Sequence, residues 1–312
     1  MTVFVYAAIV FGVLAFAVGT AARAVQYARQ PMHLRWELYP VPHERADRAA
    51  HGGSYFEQSE WWRQPRQRNL RGELAAMLPE MLLLKALREF NRGLWYRSFP
   101  FHLGLYLLAA AAVALLALAG ATLGLGGAWP GGAFGRGCVT AVTAVGAAGL
   151  ALAIAGACAL LLRRIQDPAL RAYSSPGDFF NLGFFIVALS ALGLGWATRQ
   201  DGTPGALAIA AGLLRWDLAV PIPALLGAGI VLSALLLAYI PLTHMSHFVG
   251  KYFTYHAVRW DDAPLGEARR LRTALAASLA HRPTWAASHM RGRGDGTWAD
   301  VVATNPSRED GP

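Results

Sequence analysis

Cysteine is nearly absent: the chain has two, Cys138 and Cys158. Two thiols cannot hold an iron–sulfur cluster, which takes four. No Cys-x-x-Cys-His stretch exists for covalent attachment of a c-type haem. Both cysteines lie in one apolar block, where they read as small packing side chains. Charge is scarce too, at 15% of residues against 55% hydrophobic, which excludes an ordinary soluble domain. No basic residue precedes the first apolar run. A secretion signal would have a basic start, a shorter core and a small-residue cleavage site, so this run reads as a retained first span. The net charge of +9 does not point to nucleic acid, because Lys and Arg flank apolar blocks and form no single patch interleaved with aromatics.

The apolar residues fall in five blocks, residues 3–25, 101–123, 138–162, 179–197 and 222–248. Each is long enough to cross a bilayer, which takes about 20 residues. The expected fold is an all-α integral membrane bundle of five helices. A sixth apolar stretch, 205–214, is too short to cross and is expected at the membrane surface. The third span is rich in small residues (Ala144, Gly146, Ala147, Gly149, Ala153, Gly156), which let helices approach closely and place it inside the bundle. Lys and Arg set the orientation. Twelve lie in 28–99, three in 163–178 and nine in 250–312, against Arg136, Arg199 and Arg215 on the other side. Twenty-four against three predicts an N-terminus outside and a cytoplasmic insertion between spans one and two.

The expected organisation is span one at 1–27, the insertion at 28–99, spans two to five at 100–250, and a cytoplasmic tail at 251–312. Within the insertion, the prolines and aromatics of 31–44 suggest an ordered, extended segment. Residues 72–92 carry Leu74, Met77, Leu78, Met81, Leu82, Leu84 and Leu87 at mostly helical intervals, the pattern of an amphipathic helix along the membrane or a partner. Glu80 there reads as solvated. The last twenty residues are polar and predict disorder.

Polar groups in or near a membrane are costly and mark function. His102 sits just inside span two, and His244 and His247 close span five, three residues apart on one expected helical face. Spans two and five run in opposite directions, so the start of one and the end of the other share a depth. His102 can therefore face His244 or His247. Two imidazoles on neighbouring apolar helices suit the two axial positions of a b-type haem. Arg97, Arg92 or Lys251 could meet its propionates, and Gly104 could let the flat ring approach the backbone. The alternatives are headgroup-binding histidines and a zinc site, for which His244-x-x-His247 lacks a third ligand nearby in sequence. The span-five histidine left free of iron could hydrogen-bond a quinone. Arg97, Lys251 and Tyr252 are further contacts, with snorkelling to headgroups as their alternative. His33, His43 and His51 in the insertion read as hydrogen-bonded core residues rather than ligands of a second cofactor.

Pro241-Leu242-Thr243-His244-Met245-Ser246-His247 and Arg97-Ser98-Phe99-Pro100-Phe101-His102 resemble the ends of spans five and two in the gamma subunit of respiratory nitrate reductase. The resemblance covers residues 1–30 and 95–250 and implies His102 and His247 as haem ligands. That family carries a second haem, whose ligand positions fall here on Ala112 and Gly229, so one haem near the cytoplasmic face is expected. The insertion is similar to another group. Leu34-Arg35-Trp36-Glu37-Leu38-Tyr39-Pro40-Val41-Pro42-His43-Glu44, Gly53-Ser54-Tyr55-Phe56, Trp61-Trp62, Lys251-Tyr252-Phe253-Thr254-Tyr255-His256 and Arg259-Trp260-Asp261-Asp262 resemble cytochrome b subunits of heterodisulfide-reductase-like membrane complexes of sulfate reducers and related bacteria. That resemblance implies electron transfer between menaquinone and a cytoplasmic iron–sulfur subunit, in the inner (plasma) membrane. The rival is a cofactor-free membrane anchor for a soluble redox enzyme. A transporter fits less well, because spans one to four carry few charges and no inverted repeat. Asn181 and Tyr239 are the main polar exceptions.

Overall fold

The computed structural model describes residues 1–30, 41–44, 54–66, 68–124, 131–264, 266–284 and 296–303. His33, His51 and most of the extended segment expected at 31–44 lie outside the described residues. The chain divides into two compact units. One comprises Met1–Arg23 with Leu78–Phe248, the other Ala24–Met77 with Val249–Pro312.

Among the described residues the secondary structure is helical, and five helices are long and apolar enough to span a membrane. In chain order the main helices are α1 (Thr2–Arg29), α2 (Leu70–Leu82), α3 (Lys85–Phe90), α4 (Arg92–Gly124), α5 (Ala133–Gln166), α6 (Pro176–Ala197), α7 (Ala206–Arg215), α8 (Ala224–Tyr239), α9 (His247–Phe253) and α10 (Arg269–Leu279). The spans are α1, α4, α5, α6 and α8. With 33 and 34 residues, α4 and α5 are about 50 Å long at ~1.5 Å per residue. They overrun an apolar layer of ~30 Å, which is why α4 begins nine residues before its apolar block.

In the first unit α5 packs closely on α4 and α6 through its small residues, yet it is no more enclosed than α1 and less so than α6 or the fifth span. A Cβ at Gly156 would stand 2.5 Å from Phe101 N, and one at Gly104 would stand 2.7 Å from Gly149 O. Backbone therefore touches backbone at this crossing, leaving Gly104 no free face for a cofactor ring. The second close crossing joins α6 to α8, where a Cβ at Gly229 would stand 2.5 Å from Leu192 Cα. Around these crossings Phe101, Ala153, Ala157, Phe185, Ala188, Leu189 and Leu236 form a buried cluster. The polar pair in the spans is mutual: Tyr239 donates to Asn181 Oδ1 at 3.0 Å. Each of these two side chains thereby meets a partner that the apolar surroundings could not offer.

The short apolar helix α7 packs one face on the bundle, with Ile209, Ala210 and Ala211 buried. Ala210 and Ala211 pack with Ala119 of α4, and Ile209 with Val5 and Tyr6 of α1, where the Tyr6 hydroxyl donates to the Ile209 carbonyl. The helix expected over 72–92 is broken at Leu83–Leu84, with Leu84 left-handed at φ 52. The carbonyls that open at the end of α2 are taken from α4, Met81 O by the Tyr106 hydroxyl and Leu83 O by the Trp95 indole, both at 2.9 Å. Glu80, expected to be merely solvated, accepts from Ala86 N–H at the start of α3. Span five ends as a helix at Tyr239 rather than continuing to 248. Finally, Trp298–Ala303 is helical within the terminal stretch expected to be disordered. Thr297 and Asp300 stabilise its first turn by reciprocal hydrogen bonds, a capping arrangement.

The crossings are testable against a neutral site. Gly156→Ala is expected to destabilise the detergent-solubilised protein by about 1–3 kcal/mol, the usual cost of overpacking. Gly120→Ala, where a Cβ meets nothing within 4 Å, should be neutral or stabilising by up to ~1 kcal/mol. Thermal denaturation of the two variants side by side reads the difference.

Candidate functional site

Pro241 decides how the histidines are presented. It cannot donate a backbone hydrogen bond, and after Tyr239 the chain passes through two 3₁₀ turns, Ile240–Leu242 and His244–Ser246, before α9 opens at His247. Thr243 between them is extended, and its hydroxyl accepts from Met245 N–H. The carbonyls released at this helix end are met by Arg23 of α1, whose Nε donates to Pro241 O at 3.0 Å and Nη2 to Leu242 O at 3.3 Å. His244 and His247 therefore do not share an α-helical face. They point to different partners.

His247 faces His102, with ring centroids 6.1 Å apart and planes at 69°. His102 Nδ1 is 2.8 Å from the Ser98 carbonyl one turn earlier on α4, and His247 Nδ1 is 3.3 Å from the His244 carbonyl. A carbonyl only accepts, so each Nδ1 is the donor there, and in the neutral ring the lone pair then sits on Nε2. Backbone pinning of the far nitrogen is the usual support of a metal-ligating histidine. An axial pair needs its ligating nitrogens about 4 Å apart, two metal–nitrogen bonds of ~2 Å. A centroid separation of 6.1 Å accommodates that when each ring turns Nε2 inward. The residues present thus fit a bis-imidazole iron centre. At the positions of the second pair the geometry differs: Ala112 is exposed, and Gly229 is pressed on the backbone of α6.

The other candidates separate from this pair. His244 is exposed, and its Nε2 lies 3.5 Å from Asp178 on α6. Asp178 also accepts from Ser175 N–H at 2.8 Å and lies 3.7 Å from Arg164. Distance in sequence concealed this acid. Ser98 was legible, four residues before His102 and hence beneath it on a helix. No group of three or more His, Cys, Asp or Glu suited to a metal exists among the described residues. Arg97 is exposed and bonds the Gly93 carbonyl of its own helix at 2.5 Å.

Lys251 and Tyr252 have their contacts in the second unit. The Lys251 ammonium lies over the Tyr255 ring, and Tyr252 packs on His256 with centroids 4.4 Å apart. Tyr252 and His256 line a cavity of 490 Å³ together with His43, Arg66, Glu73 and Asp262. Its floor is the Asp262 carboxylate, 3% exposed. Tyr55 donates to it at 2.7 Å, Arg66 through two nitrogens at 2.9 and 2.6 Å, and His43 Nε2 stands at 2.9 Å. Glu44, equally buried, accepts from Val41 N–H, the Ser54 hydroxyl and Tyr55 N–H. The described parts of the insertion and tail motifs thus share one polar core, and His43 is a hydrogen-bonded member of it. Burial alone would raise the Asp262 carboxyl, but the bonds from His43, Tyr55 and Arg66 outweigh it and hold the group well below the usual carboxylate range. Burial pushes His256 below the ordinary histidine value.

No protein-family model, curated protein or solved structure matches this chain.

Because the folded Asp262 carboxyl is depressed, its contribution is complete above the ordinary carboxylate pKa of ~4 and is lost as pH falls through the depressed value. Asp262→Asn is expected to cost the second unit about 2–3 kcal/mol, the scale of a charged hydrogen-bond cluster. Hydrogen–deuterium exchange over 54–66 and 254–262 should show that loss undiminished from pH 7 to pH 5. A difference that fades across that window would contradict the assignment.

Proposed function

We propose that this chain is the membrane cytochrome b subunit of an oxidoreductase complex, holding one b-type haem between His102 and His247. On this reading it exchanges electrons between quinone, menaquinone in the relatives it resembles, and a cytoplasmic iron–sulfur subunit. The observation that carries the proposal is the facing pair of imidazoles, each with Nδ1 on a backbone carbonyl and Nε2 free. The bundle end that carries them is the end away from the N-terminus, since Gly12 and Gly19 of α1 run alongside Ala234 and Pro241. The excess of Lys and Arg on the connecting segments supports a cytoplasmic location for that end, in the plasma membrane.

A haem bound there supplies a one-electron carrier whose potential follows its ligands and surroundings. The chain's own residues would do the rest. Ser98 fixes the His102 ring through its carbonyl, and the His244 carbonyl orients His247. Phe101, Leu105 and Met245 belong to the apolar cluster of this unit and would keep water from the ring. His244 lies three residues before the proposed ligand His247 and beside Asp178. It is the side chain suited to hydrogen-bond a quinone carbonyl and hold a proton there. The insertion and tail, folded on their common polar core, would give the partner a rigid surface.

A reduced-minus-oxidised optical spectrum with a pyridine haemochrome count tests the reading. One b haem per chain is expected, lost in His102→Ala and His247→Ala and kept in His244→Ala. Absence of haem after haem-replete expression would sink electron transfer and leave a cofactor-free membrane anchor. Two haems would require a ligand beyond this pair.

A further inference from the structure

Arg163 is a charged group of the bundle that the site above leaves without a role. Its Nη1 is buried and has no hydrogen-bond partner, a costly arrangement for a guanidinium unless an anion meets it. The neighbouring Arg164 is satisfied, with Nη1 donating to Ser174 Oγ at 2.6 Å and lying 3.7 Å from Asp178. Asp178 in turn is engaged by Ser175 and His244, so the nearby acid is already taken.

The register of α5 shows where Arg163 looks. Gly149, Gly156 and Arg163 are seven residues apart and form one stripe of the helix. Gly149 meets Gly104, Leu107 and Leu108, and Gly156 meets Phe101. The two helices run antiparallel, so Arg163 continues the stripe toward the first turns of α4, beyond Phe101 and His102. Helical side chains lean back toward their own N-terminus. The guanidinium is thereby directed to the level of the residues that flank His102.

We propose that Arg163 is an oxyanion-binding residue of the bundle, taking a carboxylate of the porphyrin held by His102 and His247. The inference rests on the haem reading above and adds to it a residue from a third span. A b-type haem brings propionate carboxylates, and the planar guanidinium fork matches a carboxylate bidentately. A lipid phosphodiester offers the same oxyanion chemistry, so the test separates the two sources.

The experiment compares wild type with Arg163→Gln, Arg163→Lys and Arg136→Gln, purified under identical conditions and checked for monodispersity. Haem content, midpoint potential by optical redox titration, and bound phospholipid per chain are measured. Removing a cation from the porphyrin edge favours the ferric form, so Arg163→Gln should lower the potential by at least the ~59 mV of a tenfold one-electron change. Arg163→Lys should recover most of that shift. Arg136→Gln, on an exposed turn at the start of α5, should leave it unchanged. Unaltered haem content and potential in Arg163→Gln would overturn the proposal while the haem reading stands. Unaltered potential with loss of bound phospholipid would replace the carboxylate by a phosphodiester. A wild-type protein without haem would remove the haem reading and the carboxylate assignment together.

Discussion

An apolar bundle cannot leave backbone carbonyls unmet, and at the end of α8 that constraint shapes the site. Pro241 interrupts the hydrogen-bond ladder, and in a hydrocarbon setting each unpaired group costs several kcal/mol. Arg23, one helix away, supplies two donors to Pro241 and Leu242. A cation at a helix C-terminus is also favoured by the helix dipole. With the break stabilised in this way, the chain turns twice before α9, and the turn sends His244 toward Asp178 and His247 toward His102. A straight helix would have put both histidines on one face and left one of them idle.

The second constraint is the contact of α4 with α5. Gly104, Gly149 and Gly156 leave no room for a side chain between the two backbones. Without a hydrophobic driving force between helices in lipid, such close packing is what holds them together. It fixes the height of Phe101, and so of His102, against α5. Along the same stripe the next residue is Arg163, whose Nη1 is buried. The close glycine contacts thus lead along α5 toward the end where the ionisable groups gather.

How much of this could be read beforehand follows from the physics of each feature. Spans were legible because crossing a bilayer demands a length of apolar residues that nothing else in the chain requires. The close helix contacts of α5 were legible from its small residues, and Asn181 and Tyr239 stood out as polar exceptions and prove to be partners. The end of α8 was not legible, because Ile240 and Leu242 keep the hydropathy high on both sides of Pro241. Gly104 was misassigned to a cofactor, since a glycine's sequence does not say which neighbour uses its open face. The break at Leu84 was hidden by an apolar pattern that continues through it. Asp178 with His244, and His43 with Asp262, pair across long stretches of chain, and a single sequence carries no local trace of such pairings. The His102–His247 match was partly legible: depth gave the pair of elements, the resemblance implied His247 over His244, and the turn at Pro241 is what turns His247 toward His102 and His244 toward Asp178.

The proposed function has an energetic consequence that follows from the same geometry. Gly229 could carry an imidazole only if α6 moved away from α8, and Ala112 is exposed. The proposed ligand positions therefore lie at one end of the bundle, the end opposite the N-terminus. Moving an elementary charge across the membrane against 100 mV costs ~2.3 kcal/mol, and a chain with ligands at both ends could couple electron transfer to that work. With one pair at one end, quinone would give up or take electrons near His102 and His247 and exchange protons on the same side, beside His244 and Asp178. Electron and proton would then travel together, and the reaction would neither draw on nor build the membrane potential. Any coupling to that potential would have to reside in another subunit of the proposed complex.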